Sequence, residues 1–179
     1  MVNSQKTPNK KELLKRQSDE AWASILLRYL NSKGYDYEVR EPYTPPGWAD
    51  VDVFAMSISG KHPSLYIQLT LDTNPKNSGY EKIWKNSKSH TFKNFGQTTE
   101  AIRGKVEKYT KQKMDFSQIT LVIKSYYLIK DDEIYRIPKL YDECKQYKFK
   151  AIYLLSPKGQ IYGSDKQPEE QPEFVFQIV

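Results

Sequence analysis

Two short runs hold the residues best suited to chemistry. "WADVDVFA" carries Asp50 and Asp52, and "LYIQLTLDT" carries Gln68, Thr70 and Asp72. Side chains two apart on a strand share a face, so Asp50 goes with Asp52, as a further ligand or merely as the acid at the strand's mouth, and Gln68, Thr70 and Asp72 form a second polar row. Only a short linker around "SGKHP" separates the runs, so the simplest pairing is an antiparallel hairpin with the two rows facing each other. Oxygens so placed are the hard donors that magnesium takes. A divalent ion there would acidify a bound water and offset charge growing on a phosphate. The same alternation also describes the solvent side of an ordinary amphipathic hairpin.

The elements that must position these residues can be read along the chain. Its 179 residues suffice for one sizeable core. Residues 1–10 read as a flexible basic tail and 11–179 as a single domain. Lys11–Lys33 is free of Pro and Gly. Wound at roughly 100° per residue, it sets Leu14, Ser18, Trp22, Ile25 and Tyr29 on one face, with Ala23, Leu26 and Leu30 beside them. Gly34 supplies the stop, "YDYEVRE" is extended, and "EPYTPPGW" is a proline-rich loop. The two candidate strands follow. Residues 74–97 form a long basic loop with a short helix around Tyr80–Lys88. A second helix spans 98–113, capped by Thr98 or Thr99, with Ile102, Val106 and Tyr109 as its apolar stripe. "QITLVIKSYYLI" is a central strand, "IPKLYDECKQYK" a third helix, "AIYLLS" a strand and "EFVFQIV" an edge strand. This order predicts an α/β fold, a mixed β-sheet flanked by helices.

The acid on the second strand and the polar pair on the third resemble the motif of the PD-(D/E)XK nuclease superfamily, over about residues 11–125. Laid on that motif, "GWADVDVFA" puts Asp52 at the family's Asp, and "LYIQLTLDT" puts Gln68 at its Glu and Thr70 at its Lys. The resemblance implies a restriction-endonuclease-like core, magnesium or manganese held by Asp52, Gln68 and an acid of the first helix, and hydrolysis of phosphodiester bonds. The catalytic set it implies is Glu20, Asp52, Gln68 and Thr70. Asp19 and Glu20 compete for the helix position. Asp19 lies within the apolar sector, where a charge needs a partner or a metal. Glu20 lies at the margin and is the family's usual residue type, so it is preferred for the site. Ordinary i, i+4 contacts, Lys15 with Asp19 and Arg16 with Glu20, are the plainer alternative.

The chain departs from the motif twice. Gln68 offers a neutral oxygen where the family has a carboxylate, which weakens metal binding. Thr70 has neither the charge nor the reach of lysine, and Lys61, Lys76 and Lys82 are the nearest replacements in sequence. Three readings follow: a metal-dependent endonuclease, a catalytically degenerate nuclease fold that binds nucleic acid or a protein, or an unrelated α/β module whose hairpin only mimics the motif.

Charge and composition bear on the partner. Lys and Arg exceed Asp and Glu by 28 to 22, a net +6 that favours a polyanion such as DNA or RNA. "YEKIWKNSKSHTFKNF" interleaves Lys82, Lys85, Lys88 and Lys93 with aromatic rings including Trp84, cations for phosphates and rings for bases. The same rings could instead anchor the loop to the core. A single cysteine, Cys144, excludes an intrachain disulfide and a multi-cysteine zinc site, and reads as a half-buried apolar filler in a reducing compartment. His62 and His90 are isolated, and "SGK" lacks the preceding glycine of a phosphate-binding loop. No apolar run is long enough to span a membrane and no apolar stretch follows the basic N-terminus, so the expected location is the cytoplasm. A homodimer is left open.

Overall fold

A computed structural model describes residues 10–41, 43–71, 96–124, 137–157 and 173–179. The elements run α1 (Lys10–Ser32), β1 (Tyr37–Arg40), β2 (Val53–Ser57), β3 (Leu65–Leu71), α2 (Gly96–Lys111), β4 (Ile119–Lys124), α3 (Ile137–Cys144), β5 (Ala151–Pro157) and β6 (Glu173–Gln177). They form one six-stranded sheet whose spatial order, β1 to β6, repeats the chain order. β1, β2 and β3 pair antiparallel, β4 runs parallel to β3, β5 parallel to β4, and β6 closes the far edge antiparallel. The expected mixed sheet, the β2–β3 hairpin, the central β4 and the edge position of β6 are all present. The expected helix at Tyr80–Lys88 and the interleaved Lys82, Trp84, Lys85, Lys88 and Lys93 lie outside the described residues, as do Asp72, Lys76 and His90.

Each face of the sheet has its own apolar layer. Under α1, the stripe Ala23, Leu26, Leu27 and Leu30 meets Val53, Ala55, Ile67, Leu69 and Val122. Under α2 and α3, Ile102, Tyr109, Leu140 and Cys144 meet Ile119, Leu121, Ile123, Ile152 and Leu154. The period of two along β3 and β4 makes this division. Cys144 is fully buried rather than half-buried. Burial, with the neighbouring Glu143, pushes its thiol up to about 11, which suits a filler and not a nucleophile.

The deepest line on α1 sits about one residue from the expected one. Residues 23, 26, 27 and 30 are buried, while Trp22, Ile25 and Tyr29 are half-buried at its edge. The i, i+4 step back from Ala23 lands on Asp19, which is itself buried. α1 ends as expected at Gly34, whose φ of 98° lets Tyr35 N–H reach Leu30 O at 3.3 Å and Gly34 N–H reach Asn31 O at 3.1 Å. α2 begins at Gly96, ahead of both threonines proposed to cap it, and Thr99 instead donates to Glu143 of α3 at 3.0 Å.

The turn joining β2 to β3 hangs on Asp36. Its carboxylate accepts from Ser57 Oγ at 2.5 Å and from Ser59 N–H at 2.7 Å, and these bonds hold its pKa down at about 2. A depressed carboxylate stabilises the fold above its unfolded pKa of about 3.9, and that contribution is lost as pH falls through about 2. The melting temperature of the wild type is therefore expected to fall more steeply than that of Asp36→Asn as pH is lowered across this window. Parallel curves would show that these bonds do not contribute.

Candidate functional site

Asp52 is placed by main-chain bonds around it. The preceding loop is pinned to the α2–β4 connection, with Ala49 N–H on Asp115 O at 2.8 Å and Asp115 N–H on Gly47 O at 2.9 Å. Gly47 takes a φ of 79°, open to glycine at little cost. Val51 N–H then bonds Thr44 Oγ1 at 3.1 Å and Asp52 N–H bonds Ile67 O at 2.9 Å. With Val53 opposite Ile67, one step of register sets Asp52 beside Gln68.

From this point a continuous polar chain crosses the end of the sheet. Asp52 Oδ2 accepts from the main-chain N–H of Leu69 at 2.9 Å and from the Gln68 side-chain amide. The Gln68 oxygen accepts from the buried hydroxyl of Tyr109 on α2. Asp52 Oδ1 accepts from Lys15 Nζ of α1 at 2.9 Å, and the same ammonium lies 3.4 Å from Asp19 Oδ2. Asp19 Oδ1 in turn meets Lys124 Nζ, at the end of β4, at 3.1 Å. The order is Lys124, Asp19, Lys15, Asp52, Gln68, Tyr109, from the α1 side to the α2 side.

Burial and charge set how these groups behave. The side chains of Asp19 and Lys124 are 8% and 11% exposed, whereas Lys15 is 70% exposed. Lys124 also sits 5.9 Å from the centre of the Trp22 ring. The bond to Asp52 raises the pKa of Lys15. Lys105 of α2 is a third amine near the group, its Nζ 5.9 Å from the Tyr109 ring centre. Burial lowers its pKa, while the fields of Asp52 and Asp50 work the other way. Burial raises that of Tyr109, leaving it a hydrogen-bond donor at neutral pH.

Comparison with known proteins returns no matching family model, no matching curated protein and no matching solved structure.

The sequence-derived candidates separate cleanly. Asp52 and Gln68 are brought together. Of the two acids weighed on α1, Asp19 joins Asp52 through Lys15, while Glu20 faces Arg16 at 2.8 Å, and Arg16 also holds Glu41 at 2.9 Å. Both i, i+4 pairs are formed. Thr70 is half-buried on the same face of β3 as Gln68, by the period of two. Asp50 does not accompany Asp52: β2 begins at Val53, both acids lie ahead of it, and Asp50 turns out to Lys108 at 3.2 Å. Lys61 sits in the turn at the other end of the hairpin from Asp52. His62 is stacked on Tyr35, ring centres 4.7 Å apart.

Lys124 and Tyr109 were missed as members of the site. In the sequence Tyr109 reads only as part of an apolar stripe. For Lys124 the available signal was a lysine within the mostly apolar run "QITLVIKSYYLI", where a buried charge requires a partner.

The donors as arranged fit a divalent cation poorly. Asp52 is the one carboxylate at the rung, both its oxygens are engaged, and the amide turns its N–H toward it. Among the described residues, no group of three or more His, Cys, Asp or Glu is arranged to hold a metal. No helix among them is long and apolar enough to cross a membrane.

Proposed function

We propose that this chain is a nucleic-acid-binding domain on a nuclease-like, PD-(D/E)XK-type frame, in which ammonium and amide groups stand where a catalytic metal centre would be. The observation that carries the reading is the surroundings of Asp52. Its neighbours are Lys15, the Gln68 amide and, within its field, Lys105. Such a site leaves a divalent cation no open carboxylate oxygen, and the amine of Lys105 beside it can meet a phosphate. The order α1-β1-β2-β3-α2-β4, with β4 parallel to β3, supports the frame, and the net +6 supports the partner. A cytoplasmic location goes with this proposal.

One observation favours a second reading, a magnesium- or manganese-dependent endonuclease. The Gln68 amide carries an acceptor oxygen and a donor NH2 on one carbon, so turning it exchanges the two. Turned about, Gln68 would set its oxygen beside Asp52 Oδ2 and the main-chain oxygen of Leu69, which lies 3.4 Å from Nε2, and Tyr109 would accept from the amide instead. Three oxygens would then converge with a single negative charge among them, a weak site.

The test is incubation of the purified protein with plasmid, single-stranded DNA and RNA in magnesium or manganese, beside Asp52→Ala, together with binding measured against salt. The expected result is salt-dependent binding without cleavage. Cleavage that Asp52→Ala abolishes would replace the first reading by the second, and absence of both binding and cleavage would remove both.

A further inference from the structure

One face of the sheet beside the candidate site carries a row of side chains that the polar chain does not use. The registers Arg40↔Phe54 and Phe54↔Tyr66 set a guanidinium and two rings side by side in a single rung. The rings are 5.1 Å apart between centres, and Trp48 packs edge-on to Tyr66 at 4.9 Å. By the period of two along β3, Tyr66 shares its face with Gln68, whose amide meets Asp52. α2 lies against β3 and β4 on that face, while α1 covers β1 and β2 on the other. On the β1–β2 half the row is open enough that Met56, next along from Phe54, is 43% exposed, and Phe54 itself is only half-buried.

We infer that this rung is a stacking platform for the unpaired bases of a single-stranded nucleic acid, with the adjoining phosphate held beyond the Asp52–Gln68 end by Lys105. The inference rests on the nucleic-acid reading above and adds the strand state of the ligand. Rings lying on a sheet can stack only on a base whose faces are free, which a duplex hides within its own stack. The adjacent rung is about 7 Å away, two strand residues on, close to the step of one nucleotide in an extended strand. Cations flank the rings on both sides: Arg40 at the β1 edge, and Lys105 beyond Asp52. Arg40 is held by Glu38 on its own strand, yet its side chain is 54% exposed, and an exposed pair of this kind yields easily to a phosphate.

The experiment compares the full chain with Phe54→Leu and Arg40→Gln, using a fluorescent oligothymidylate and a duplex hairpin of equal length, across a salt series, with a thermal melt of each variant. The wild type is expected to bind the single strand more tightly than the hairpin. Phe54→Leu, which keeps an apolar contact but loses the ring, should weaken single-strand binding by about tenfold or more and leave hairpin binding unchanged. Arg40→Gln, at an exposed position where folding is not at stake, should reduce the salt slope by about one. Single-strand affinity that is unchanged in a folded Phe54→Leu, or equal affinity of the wild type for both probes, overturns the platform while leaving nucleic-acid binding standing. Failure to bind either probe removes the platform and the reading beneath it together.

Discussion

Replacing Lys124 by methionine is expected to cost about 3 kcal/mol of stability and lower the melting temperature by roughly 6–12 °C. The pair it breaks is buried on both sides, 8% and 11% exposed, and bridges α1 to the centre of the sheet. Taking away one partner of such a pair leaves a charge that has already lost its water. Lys15 remains 3.4 Å from Asp19, but it is largely exposed and shared with Asp52, so it offsets only part of the loss. The companion variant, Asp19→Leu with Lys124→Met, removes both charges and is expected to recover most of the stability, because an apolar pair of similar volume carries no desolvation penalty. Denaturant melts of the wild type, both single variants and the double variant close the cycle. A Lys124→Met protein within 0.5 kcal/mol of the wild type, a margin usual for surface substitutions, would mean that the pair contributes nothing of consequence.

The second large effect is expected from Gln68→Glu. Gln68 is buried, and its amide donates to Asp52 while accepting from Tyr109. Glutamate keeps the acceptor for Tyr109 but sets a second carboxylate against the first. Like charges so close raise a carboxyl pKa, and the variant should lose about 2 kcal/mol at neutral pH. The sign follows from linkage: a carboxyl raised in the folded state destabilises most above its folded pKa, and the deficit vanishes below the unfolded value of about 4.3. Two carboxylates at one rung also make a better site for a divalent ion, so manganese should raise the melting temperature of the variant and leave the wild type unmoved. A variant as stable as the wild type at pH 7 and indifferent to manganese would show that the two side chains do not meet as described.

How far the sequence made this legible depends on the range of the interaction. The order of helices and strands was readable because each apolar period is local, and the Gly34 stop because one left-handed residue suffices to end a helix. The meeting of Asp52 and Gln68 was readable because both lie on one short hairpin. Of the two roles open to Asp50, the structure shows the acid at the strand's mouth, because the period of β2 does not extend to residues that precede it. Asp19 was recognised as lying in the apolar sector, but residue type favoured Glu20, and only the packing of Ala23, Leu26 and Leu27 on the sheet shows which acid turns inward. Lys124 and Tyr109 reach the group from 105 and 41 positions away along the chain, and no periodicity carries that information.

A sheet whose spatial order repeats its chain order also sets a timetable. α1 and the β1–β3 meander leave the ribosome first and can form one apolar layer among themselves. β3 then presents an open edge bearing Leu65, Ile67 and Leu69 until β4 arrives, and Asp19 waits in the closing layer without the ammonium that lies 105 residues downstream. At about 5–20 residues per second the stretch from Leu71 to Lys124 takes roughly 3–11 s. During it the nascent chain carries an unpaired strand edge and Asp19 has only the largely exposed Lys15 as counter-charge, so the arrival of β4 closes the sheet and the ion pair in one step.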